Sequence, residues 1–134
     1  MKLDWLTDEV LRRLEADRPR ALLIGQPPPE DGGFLYVSER PYEQVVIGPL
    51  GPGALLQMPS DEVCLALLRG LPVWLWPQPY GYGKHALLLR REMVEAERRL
   101  IRFGARPVPV GRWQEERQHD RRYSNRKSLG DEKM

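Results

Sequence analysis

Four places in the sequence hold side chains that could do chemistry. The segment YGYGK sets Tyr80, Tyr82 and Lys84 close together, with His85 next to them. Two aromatic rings separated by glycines can stack on a flat ring such as a flavin or a base, and the lysine can meet a phosphate. The run Gly48-Pro49-Leu50-Gly51-Pro52-Gly53 follows an apolar stretch. The backbone N–H groups of Gly48, Gly51 and Gly53 could face a phosphate at a helix start. Pro49 and Pro52 remove two donors, and the loop matches neither GxGxxG nor GxxxxGK[ST]. A stiff turn that starts a helix is the commoner reading of the same residues. Cys64 lies inside an apolar helical pattern, where a free cysteine behaves as a small hydrophobe. Asp61 and Glu62 are adjacent, so they face different ways on a helix and suit its first turn rather than acid–base work. His85 has no carboxylate near it in sequence to orient the ring. No catalytic residue is therefore assigned. One cysteine and two histidines leave no metal site of the usual ligand sets.

The elements that must position these residues follow from the hydrophobic pattern. Leu3, Leu6, Val10 and Leu14 recur at spacings of three and four, which predicts an amphipathic helix over residues 4–17. Pro19 stops it. ALLIG (21–25), FLYVS (34–38), QVVIG (44–48) and VWLW (73–76) read as short apolar strands, and RPVPV (106–110) as an edge strand. The stretch QPPPEDGG (26–33) reads as a loop with a stiff entry and a flexible exit. Ser60 is placed to cap a helix through Leu68, and Gly70 to end it. QVVIG, the Gly-Pro loop, that helix and VWLW make a βαβ unit. Leu89, Met93, Ala96, Leu100 and Phe103 mark one face of a long helix ending at Gly104.

Length and charge bound the whole. The 134 residues fit one domain with a single core. The chain carries 21 Lys+Arg against 19 Asp+Glu, and the excess of +2 falls beyond residue 110. The part before it is neutral, without the basic face that duplex DNA demands, so no nucleic acid is expected. No apolar run reaches the length of a bilayer, so no membrane partner is expected. The start has no apolar h-region, and a cytoplasmic location is expected. The organisation read from the pattern is an amphipathic helix at 1–19, an α/β domain at 20–110, and a charged, disordered tail at 111–134. The fold expected is a small three-layer domain, flavodoxin-like or Rossmann-like, with a mostly parallel sheet of four or five strands.

The order ALLIG, then YEQVVIGPLGPGALLQMPSDEVCLALLRGLPVWLW, then a Glu/Arg-rich helix ending LIRFGA, resembles an uncharacterised family. Its members are encoded in ethanolamine- and propanediol-utilisation operons beside bacterial microcompartment shell proteins. The resemblance covers about residues 4–108. Members begin with a short amphipathic helix, and helices of this type are proposed to direct cargo to the shell interior. The resemblance thus implies an accessory or assembly role inside a microcompartment, with shell or core proteins as partners. Leu3, Leu6, Val10 and Leu14 would be the docking stripe. The pattern is also similar to flavoproteins of the homo-oligomeric decarboxylase type, where a segment like VVIGPLGPGALLQM lies near the flavin. Their catalytic histidine stands in an early segment, which neither His85 nor His119 matches.

Two expectations result. The first is a non-enzymatic accessory protein that needs no cofactor, with a homo-oligomer compatible with its surfaces. The second is a small flavin- or nucleotide-binding protein, taking FMN through Gly48, Gly51, Gly53, Tyr80, Tyr82 and Lys84.

Overall fold

The computed structural model describes residues 18–118, so the stripe Leu3, Leu6, Val10 and Leu14, like His119, lies outside the described residues. Five strands form one sheet: β1 (Arg20–Ile24), β2 (Leu35–Val37), β3 (Gln44–Ile47), β4 (Val73–Leu75) and β5 (Arg106–Pro107). Their order is β2-β1-β3-β4-β5, and every neighbouring pair is parallel. This is the 2-1-3-4-5 order of doubly wound α/β sheets. Three helices follow β3: α1 (Pro52–Leu56), α2 (Asp61–Leu68) and α3 (Leu87–Arg102). A fourth, α4, occupies residues 113–118.

The two faces of the sheet are built differently. Successive side chains along a strand alternate between faces. On one face Leu22, Val45, Ile47, Val73 and Leu75 pack with Val63 and Ala66 of α2 and with Met93, Ala96 and Leu100 of α3. On the other, Ala21, Val46 and Trp74 pack with Phe34, Val108 and Trp113, and Leu23, Tyr36 and Trp76 border them. That second cover is aromatic, and among the described residues α4, the loop before β2 and Val108 supply it.

The helix ends obey the local chemistry expected of them. The Ser60 hydroxyl accepts from the Val63 N–H at 3.5 Å, and Asp61 and Glu62 stand in the first turn of α2. Gly70 ends α2 with φ +76, a left-handed value that suits glycine, and Leu71 N–H bonds back to Ala66 C=O.

The loop read at residues 26–33 is a loop, so no helix joins β1 to β2, and none joins β2 to β3. Parallel strands usually need a crossover of a dozen or more residues. Here β2 has only three residues, so the connection of residues 25–34 is long enough to return alongside β1. The structure moves the boundary read at 110. Residues 111–118 belong to the folded body, because Trp113 is only 1% exposed and α4 carries it. Its ring lies 5.5 Å from Phe34, 6.0 Å from Trp74 and 6.4 Å from Trp76. The Glu30 carboxylate accepts from the N–H groups of Gly111 and Trp113, Gln114 Nε2 bonds Asp31 C=O, and Arg117 bonds Gly32 C=O. One large ring and these polar ties anchor a segment, 111–118, in which Trp113 is the one apolar side chain.

Candidate functional site

In sheets of this order a ligand has its natural place beyond the carboxyl ends of the strands, where the chain order reverses between β1 and β3. The geometry there is tight. Gly48 N–H bonds Ile24 C=O at 2.9 Å, and Gln26 N–H bonds Pro49 C=O at 3.1 Å. Gly48 is buried, and a Cβ on it would stand 1.7 Å from the Gln26 carbonyl oxygen. Glycine is required at that position by the approach of the two chains.

Gln78 fills the same place from the end of β4. It is a buried polar side chain, 8% exposed. Its Oε1 accepts from Leu50 N–H at 3.0 Å, while Nε2 donates to Gly48 C=O at 3.0 Å and to Trp76 C=O at 2.8 Å. The Tyr80 hydroxyl donates to Leu50 C=O, and its ring packs on the core. Gln78 N–H in turn donates to Glu97 Oε1 of α3 at 3.4 Å. Partial burial pushes the Glu97 carboxyl above its ordinary pKa, and the bond from Gln78 only partly opposes this. The polar groups that loose strand ends would offer to a ligand are thus taken up by the protein itself.

The segment after Tyr80 is an exposed arch. Arg90 reaches back from α3 and donates to the carbonyls of Tyr80, Tyr82 and His85, at 3.2, 2.7 and 2.8 Å. A Cβ on Gly83 would lie 2.2 Å from the Arg90 guanidinium carbon, so the second glycine of YGYGK makes room for this clamp. Tyr82 is 92% exposed, and Lys84 and His85 are exposed as well.

The structure therefore brings together Gly48, the Leu50 backbone and Tyr80. Gly51 and Gly53 stand at the exposed start of α1, and a Cβ on either would touch nothing. Pro52 at the first position of α1 supplies no N–H. Tyr82 and Lys84 ride on the arch. Cys64 is half-buried on α2. Gln78, Arg90 and Glu97 are the residues that sequence reasoning missed. The one signal for Gln78 is a lone amide between two prolines directly after the most apolar strand. Among the described residues no group of three His, Cys, Asp or Glu could hold a metal ion, and no helix is long and apolar enough to cross a membrane.

The remaining conspicuous feature is apolar surface. Leu87 and Leu88, in the first turn of α3, are 66% and 75% exposed, and Leu68 at the end of α2 is 83% exposed. Gly81, Gly83, Leu87, Arg90, Arg91, Val94, Glu95 and Arg98 line an open groove of about 390 Å³ along α3. Comparison with protein-family models, curated proteins and solved structures gives no match for this chain.

Proposed function

We propose that this chain is an accessory or assembly protein of a bacterial microcompartment for ethanolamine or propanediol utilisation, working through docking surfaces. The observation that carries the docking part is the closure of the strand ends. Gln78 occupies the crevice and bonds three backbone groups, while leucines are left facing solvent on α2 and α3. Polar groups spent on the fold hold no substrate, whereas exposed apolar side chains are what a partner protein buries. The microcompartment setting rests on the resemblance of residues 4–108 to proteins encoded beside shell genes. In this reading Leu3, Leu6, Val10 and Leu14 dock on a shell or core protein in the helix-in-groove mode.

The test is a full-length fluorescent fusion in cells with and without shell production. The fusion is expected to gather in foci only where shells are made, and Leu6→Glu with Val10→Glu is expected to disperse them. Diffuse fluorescence of the unaltered chain in shell-producing cells would sink the proposal.

A further inference from the structure

The two edges of the sheet are finished differently. At β5 the Val108 N–H turns inward and bonds Leu75 C=O at 2.9 Å. The residues that alternate with it, Pro107 and Pro109, turn outward and have no N–H to give. A strand laid on that edge would find no donor there, which is one way a sheet guards an edge. β2 has no such guard. Leu35 N–H bonds Pro19 C=O, so the N–H and C=O of Tyr36 point away from β1. Among the described residues no strand pairs with them.

The side chains of β2 suit a copy of the same strand. Leu35, 37% exposed, and Val37, half-buried, continue the sheet face that Leu22 begins. Beside them Leu22 and Leu65 of α2 line an open groove of about 360 Å³. Tyr36 lies on the opposite, aromatic face. In an antiparallel pairing centred on Tyr36, the two Tyr36 residues exchange both N–H and C=O bonds. Leu35 then stands against Val37 of the second copy on each side of the axis. The charges agree with the same register. Glu39 falls opposite Gly33 of the second copy, where a Cβ would lie 2.9 Å from Arg117 Nη1. Arg40 falls opposite Gly32, next to Asp31. Opposite charges thus meet at both ends of the pairing.

We infer that β2 pairs antiparallel with β2 of a second copy of this chain, joining the two sheets across a two-fold axis. The contact is isologous, and Pro107 and Pro109 guard the far edges, so assembly stops at a dimer. The inference goes beyond the docking role proposed above and needs no shell protein, so either can fail alone.

Sedimentation of the full chain tests it. The unaltered protein is expected to show monomer and dimer alone, with less dimer as salt rises. Leu35→Lys sets an ammonium against Val37 on each side of the axis and should weaken the dimer about tenfold or more. Arg40→Glu, at an exposed residue outside the strand, sets a carboxylate beside Asp31 and should weaken it as well. Leu87→Glu with Ile101→Glu, on α3, should leave the dimer unchanged. All three should keep the urea midpoint of the unaltered protein, since each residue already faces solvent. The Tyr36 amide should also exchange with deuterium more slowly as protein concentration rises. A monomer at all concentrations would overturn the inference. So would species larger than a dimer, because the β5 edge or another surface would then be taking part. A dimer that survives Leu35→Lys and Arg40→Glu but is lost with the α3 substitutions would overturn it in favour of a helix contact.

Discussion

Replacing Gln78 with leucine would leave the Leu50 N–H and the carbonyls of Gly48 and Trp76 without their partner in a buried place. Each orphaned group costs roughly 1–3 kcal/mol, and some would find other partners, so a loss of about 2–4 kcal/mol is expected in urea unfolding. A loss below the error of the fit would mean that the amide is not the tie that closes the strand ends. Glu97 gives a pH signature at the same place. Its folded-state pKa is raised by burial, so just above its ordinary value the folded chain binds more protons than the unfolded one. Its contribution to stability therefore falls as pH rises through that window. Glu97→Gln can still accept from the Gln78 N–H but carries no charge. The two proteins should match in stability at acidic pH, with the variant the more stable toward neutral pH. A difference in urea midpoint that does not change with pH would contradict this.

At the scale of elements, α4 and the loop 26–34 form a clasp that closes the aromatic face. Trp113→Ala should cost about 3–5 kcal/mol, as for a fully buried tryptophan. Glu30→Ala removes the carboxylate at the start of α4 and should cost about 1 kcal/mol, in the range of a lost helix cap. Thermal unfolding of both variants checks the ranking, and a Trp113 variant as stable as the parent would remove α4 from the core. The same elements show what a sequence can and cannot carry. ALLIG, QVVIG and VWLW are apolar on both faces, which only a strand buried on both sides explains, so the parallel sheet was legible. Ser60 and Gly70 were legible because caps are local. The clasp was not, since Glu30 and Gly111 are 81 residues apart and nothing in either segment names the other. Trp113 was read as part of a tail because its neighbours are charged, although a single ring can seal a sheet face. The strand-end candidates were half legible. Position after a strand put Gly48 and Tyr80 beyond the strand ends, where they stand, but whether such a loop stays open or is tied shut depends on a distant amide.

For the whole molecule, the strand order fixes where a ligand would go, and the side chains fix whether there is room. A sheet of order 2-1-3-4-5 can hold a flavin at its switch point. In this chain that point is occupied by Gln78 and by the contact of Gly48 with Gln26, while the apolar surface lies on the helices. The docking role proposed above therefore predicts that the strand ends hold no flat cofactor. Calorimetric titration of the full chain with FMN tests this most directly. No saturable heat is predicted, with Lys84→Ala and Tyr82→Ala indistinguishable from the parent. Saturable binding that either substitution weakens would contradict it, and would show that the arch and the Gly48–Gly53 loop form a cofactor site after all.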